Sequence, residues 1–168
     1  MKGKIFFKEE QSFVGTWTWY VVIGIAVLSV GGTGVGLFFT NDAEGIIGLI
    51  IAAITTGGII VLFYTSKLQV SMDQDSLYYR YPPFVSAEKK VTSDDIKEIY
   101  VRKYKPIGEY GGWGYRFRFR SGRAMNVSGN VGVQLVFKND KRLLIGTQKP
   151  EAMREAVRRL KENWGIDG

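Results

Sequence analysis

The stretch QSFVGTWTWYVVIGIAVLSVGGTGVGLFFTN, residues 11–41, carries no charged side chain, and neither does GIIGLIIAAITTGGIIVLFYTS, residues 45–66. Only Asp42, Ala43 and Glu44 stand between them. An α-helix rises 1.5 Å per residue, so about 20 apolar residues cross the roughly 30 Å hydrocarbon layer of a bilayer. Both stretches are long enough. They read as a transmembrane helical hairpin over residues 1–66, with spans at about 14–39 and 45–65. The rest, 67–168, has the size of one ordinary domain.

A secretory signal is the competing account of the first stretch. Its apolar region would be about 7–15 residues long, followed by a small-residue cleavage site. The apolar core from Trp17 to Phe39 is longer, and a second span follows at once, so a retained hairpin is expected. Lys2, Lys4 and Lys8 precede the first span, and Lys67, Arg80, Lys89 and Lys90 follow the second, whereas the turn from Asn41 to Glu44 has no cation. Positive flanks stay inside, which predicts a protein integral to the cytoplasmic membrane with both termini in the cytoplasm. Trp17, Trp19, Tyr20 and Tyr64 then fall at the inner headgroup level. Small residues let helices approach closely in lipid, and Gly32, Gly36, Gly48 and Ala52 are the expected packing positions, between the two helices or between copies. Neither span contains an ionisable residue, which argues against an ion or substrate path.

The net charge of +7 is unevenly placed. From Lys67 onward there are 20 Lys and Arg against 12 Asp and Glu, a local excess of +8. Such an excess suits an anionic lipid surface or nucleic acid, or simply a solvated face. The chain has no Cys and no His. Disulfides, thiolate chemistry, the usual zinc ligands and the usual general base near neutral pH are therefore missing, which weighs against catalysis. No enzyme activity, cofactor or metal site is expected.

After Tyr64 the pattern changes to alternation. Leu68, Val70 and Met72 alternate with Gln69 and Ser71, as in a half-buried strand. Further strands are expected at 77–81, 84–91, 98–104, 115–120, 124–127, 131–137 and 142–146, the last two forming a hairpin over Asn139-Asp140. Thr92-Ser93-Asp94-Asp95 reads as a helix cap rather than a metal pair, and Pro106 to Gly114 reads as a loop. Met153, Val157, Leu160 and Trp164 mark one apolar face of a closing helix that starts at Pro150. The fold class is thus an α-helical transmembrane hairpin plus a mainly antiparallel β barrel or sandwich, with one C-terminal helix over an open end.

Four segments carry a resemblance: FKEEQSF at 7–13, PIGEYGGWG at 106–114, NVSGN at 126–130 and IGTQKP at 145–150. With the order of elements, they make the chain similar to bacterial pleckstrin-homology-like (PH-like) membrane proteins. The resemblance implies a strongly bent seven-stranded sheet capped by the final helix. It implies binding or scaffolding at the membrane, including self-association, and no catalytic residues.

The site candidates are cationic. Arg116, Arg118 and Arg120 are spaced by two and share one strand face, while Tyr115, Phe117 and Phe119 share the other. One account puts the aromatics in the core and leaves the arginines wet. The other joins the arginines to Arg123, Lys103 and Lys105 as an anion- or lipid-contacting patch, each cation worth on the order of 1 kcal/mol near an anionic leaflet. GWGYRFRF at 112–119 loosely resembles an RNA-binding strand, but only one clear helix accompanies it, so no nucleic-acid partner is expected. The glycines of 108–114 lack the Lys-Ser/Thr of a phosphate loop and read as a tight turn packing Tyr110 and Trp113. The expected partners are the bilayer and a second copy or another membrane protein. Scaffolding or self-assembly is the first expectation, and headgroup recognition by the basic strand the second.

Overall fold

The computed structural model describes residues 3–40 and 43–166. Contacts divide the chain into two units, one from Ser12 to Ser66 and the other formed by the residues up to Gln11 together with those from Lys67 onward.

The first unit holds α1 (Trp17–Thr40) and α2 (Ala43–Thr65). Their spans Trp17–Phe39 and Ala43–Thr65 are each 23 residues, long and apolar enough to cross a membrane, at about 34 Å of rise each. Thr16 starts α1: its Oγ1 accepts from the Trp19 N–H at 3.4 Å and donates to the Phe13 carbonyl at 2.6 Å. Asn41 and Asp42 of the expected turn, like Lys2 of the flank, lie outside the described residues.

The less exposed positions of α1 include Val22, Ala26, Val30, Thr33 and Leu37, and those of α2 include Gly45, Leu49, Ala52, Thr56 and Ile60. Steps of three and four make these the facing seams of the pair. Of the expected packing residues, Gly48 and Ala52 are on this side, and a Cβ added at Gly48 would meet Thr33 Cγ2 at 3.8 Å. Gly32 and Gly36 are exposed, and a Cβ at either would meet nothing within 4 Å. They precede the seam positions Thr33 and Leu37 by one residue, a rotation of roughly 100° about the axis.

In the second unit, nine strands are found among the described residues, two more than the resemblance implies. β1 (Phe7–Ser12), β2 (Lys67–Met72), β3 (Leu77–Tyr81) and β4 (Val85–Val91) form one sheet in sequence order. β5 (Ile96–Lys103), β6 (Gly114–Arg118), β7 (Gly122–Asn126), β8 (Val131–Phe137) and β9 (Arg142–Gly146) form a second, ordered β5-β8-β9-β7-β6. Its neighbouring strands pair antiparallel except β7 with β9, which run parallel. Phe7–Ser12, grouped by sequence with the hairpin, is the outer strand beside β2. The Phe6 N–H reaches the Met72 carbonyl at 3.1 Å, and Glu10 meets Lys67 at 3.8 Å, so the two strands run antiparallel.

The core comes from the inward positions of the sheets, including Leu68, Val70, Leu77, Ile99, Leu135 and Leu144, all 2% exposed or less. α4 (Pro150–Trp164) buries Met153, Val157 and Leu160 of the expected face together with Ala156, while Trp164 is only half-buried and donates from Nε1 to the Asp75 carbonyl at 2.9 Å. It ends at Gly165, whose φ of 62° is left-handed. On its outer face Glu155 binds Arg158 and Arg159, each at 2.8 Å.

Two local expectations change. Pro106–Tyr110 forms a short helix, α3, rather than loop. Pro106 is at its start, Glu109 Oε1 accepts from the Lys105 N–H at 2.8 Å, and Gly111 closes it at φ 76°. Asp94-Asp95 caps no helix: Asp95 Oδ2 accepts from the Thr92 N–H and hydroxyl within a turn that enters β5 directly.

Candidate functional site

Two polar regions of the β-domain could hold chemistry. The first gathers the four segments that carry the resemblance. Asn126 is fully buried at the end of β7; its Oδ1 accepts from the Gly114 N–H at 2.8 Å and its Nδ2 donates to the Tyr104 hydroxyl at 3.0 Å. The Asn126 carbonyl accepts from the Tyr81 hydroxyl at 3.3 Å. Gly146 fits here because a Cβ would lie 2.8 Å from Asn126 Cβ. β1 reaches the same place: Gln11 Nε2 donates to the Gly146 carbonyl at 2.7 Å. Glu9, 3% exposed, accepts from the Thr147 hydroxyl at 2.6 Å and the Gln148 N–H at 2.7 Å.

Around this centre, Gln148 Nε2 bonds Ser128 Oγ at 2.8 Å and Trp113 Nε1 bonds the Gly129 carbonyl at 3.1 Å. Burial pushes the Tyr104 hydroxyl up to about 12, and it raises those of Tyr81 and Tyr110 as well. These phenols remain neutral, Tyr81 donating to the Asn126 carbonyl and Tyr104 accepting from Asn126 Nδ2. Gln11 Oε1 is the network's buried side-chain atom without a partner among the described residues. The motif residues are therefore occupied with one another, as structural groups are.

The second region is a cleft of about 730 Å³. Its apolar lining is Phe117, Phe119, Met125, Phe137 and Leu143, with Tyr79 from β3. Its cations are Arg120, Arg123, Lys141 and Arg142, all exposed. The register explains the meeting. Phe117 pairs with Arg123 across β6 and β7, and Arg123 with Leu143 across the parallel β7 and β9. The β8–β9 turn adds Lys141 beside them, with Asp140 at φ 58°. The lining carboxylate, Asp140, meets Lys97 at 3.3 Å on an exposed flank. Among the described residues, no carboxylate pairs with the four cations of the cleft. Burial raises the Tyr79 hydroxyl, with Arg123 opposing that shift.

The expectation that Tyr115, Phe117 and Phe119 fill the core is overturned. Phe117 is 66% exposed and Phe119 96% exposed. Arg116 and Arg118 are exposed as well, so alternation along β6 separates two largely solvated faces rather than core from solvent. Tyr115 is half-buried, stacked on Phe84 with ring centres 5.5 Å apart.

The arginine stripe also divides. Arg116 Nε donates to the Trp113 carbonyl at 2.9 Å, and Arg118 lies against Gly111, where a Cβ would approach its Nη2 to 3.0 Å. Arg120 and Arg123 line the cleft. Lys103 ends β5, at the opposite edge of the sheet order from β6, and Lys105 precedes α3. Sequence reasoning missed Lys141 and Arg142, since their approach to Arg123 depends on the parallel β7–β9 pairing. Comparison with protein-family models and with curated proteins finds no match to this chain.

Proposed function

We propose that this chain is a non-enzymatic, membrane-anchored recognition protein with a PH-like β-domain, which binds anionic lipid headgroups through Arg120, Arg123, Lys141 and Arg142. The observation carrying this reading is the convergence of four cations, none paired with a carboxylate among the described residues, on a rim that also exposes Phe117 and Phe119. Guanidinium groups bind phosphate oxygens bidentately, and exposed aromatic rings tolerate the interfacial zone of a bilayer. Ser66 alone separates α2 from β2, so the hairpin keeps the domain within reach of a leaflet. On this reading both termini face the cytoplasm, where anionic lipid is the expected partner.

The test uses the full chain in nanodiscs of phosphatidylcholine with and without phosphatidylglycerol. Hydrogen exchange over residues 114–126 should slow when phosphatidylglycerol is present, and the protection should weaken with salt. Equal exchange in both lipids, or protection retained by an Arg120→Gln/Arg123→Gln/Arg142→Gln variant, overturns the reading.

Self-assembly is a second reading, favoured by the terminal position of β6. An outer strand can add a strand from another copy. Light scattering of the detergent-solubilised protein should then report a dimer or larger species; a monomer at every concentration removes this reading.

A further inference from the structure

Resting on the headgroup reading, we infer that the cleft between β6, β7 and the β8–β9 turn seats one acyl chain of the same anionic glycerophospholipid whose phosphate its cations hold. A site for a headgroup alone needs donors and water. This one backs its cations with an apolar lining of Phe117, Phe119, Met125, Phe137 and Leu143. Its volume of about 730 Å³ lies within the roughly 300–1,000 Å³ of pockets that enclose a small organic ligand.

Charge and apolar surface are arranged as an amphiphile requires. Arg123 is the cross-strand partner of Phe117, so a phosphate held by its guanidinium starts beside the ring. Arg142 and Leu143, the first two residues of β9, both line the cleft, so a cation adjoins the apolar surface there. Phe119, 96% exposed, has the largest unburied apolar surface here and gains most from covering by a chain. The Asp140 carboxylate is drawn toward Lys97, so it leaves the cationic rim attractive to an anion.

The test is photolabelling of the full chain in phosphatidylcholine nanodiscs carrying a trace of phosphatidylglycerol with a diazirine at the end of one acyl chain. The expected label falls on peptides containing Met125, Phe137 or Leu143, in addition to α1 and α2. The same diazirine on phosphatidylcholine should label those peptides far less. Phe119→Ser, at a position whose exposure spares the fold, should lower the cleft label about tenfold while leaving the helix label unchanged. Label confined to the helices overturns the seated chain. If the phosphatidylglycerol-dependent protection of 114–126 persists in that case, headgroup binding stands alone; if it is absent too, both readings fall. Equal cleft labelling by the two lipids, or by wild type and Phe119→Ser, also overturns the inference.

Discussion

The network around Asn126 and the cleft beside Phe119 lie in the same β-domain, yet they treat their polar groups in opposite ways. In the network, buried amides, hydroxyls and the Glu9 carboxylate are paired with one another across β1, β7 and the β9–α4 junction. In the cleft, exposed guanidinium and ammonium groups border bare aromatic rings. The difference separates residues that hold the fold from residues open to a ligand. Distinctive sequence motifs mark the first kind here. The second kind joins part of the alternating stretch, Phe117, Phe119 and Arg120, to Lys141 and Arg142, which no motif marks.

Substitutions should divide along the same line. Gly146→Ala brings a Cβ to 2.8 Å from Asn126 Cβ, and overpacking at such a site costs about 3 kcal/mol, read by denaturant unfolding of the full chain in detergent. Glu9→Ala leaves the Thr147 hydroxyl and the Gln148 N–H without their acceptor, a loss of about 2 kcal/mol in the same assay. Glu9→Gln, which keeps one acceptor oxygen, should recover part of it. A loss below about 0.5 kcal/mol for Glu9→Ala would erase the distinction drawn above.

The Arg102–Glu109 pair gives a pH-dependent intermediate case. The Arg102 guanidinium, 2.8 Å from Glu109, holds that carboxyl below its ordinary value of 4.5. A carboxylate depressed by folding contributes fully above the unfolded value and loses its contribution as the pH falls through the folded one. The stability gap between wild type and Arg102→Gln should therefore narrow below pH 4.5. A gap constant with pH would make the pair a packing contact only. The smallest effect belongs to the cleft: Arg120→Gln and Arg123→Gln should each change stability by less than about 0.5 kcal/mol while removing phosphatidylglycerol-dependent protection.

Much of this architecture is legible in the sequence for simple physical reasons. Helices long enough to span lipid announce themselves through charge-free runs, and α4 through the spacing of Met153, Val157 and Leu160. The strands of the β-domain show up in alternation, as at Leu68, Val70 and Met72. β1 was hidden because its inward residues include Glu9 and Gln11, whose burial depends on acceptors and donors more than 130 positions later. α3 carried a readable signal in Lys105-Pro106 followed by Glu109, masked by the surrounding glycines. The cleft was only half visible. Arg120 and Arg123 stand out, but alternation in β6 cannot reveal that the strand ends its sheet, and no local pattern predicts a parallel β7–β9 pair.

The antiparallel pairing of β1 with β2 has a topological consequence. Strands that share hydrogen bonds occupy one aqueous compartment, so whatever chain runs between Ser12 and Lys67 must cross a bilayer an even number of times. Zero and two are the smallest counts that obey this rule, and α1 with α2 offers two. A short turn in place of α1 and α2 would leave an ordinary β-hairpin and remove both apolar spans without reordering a single strand.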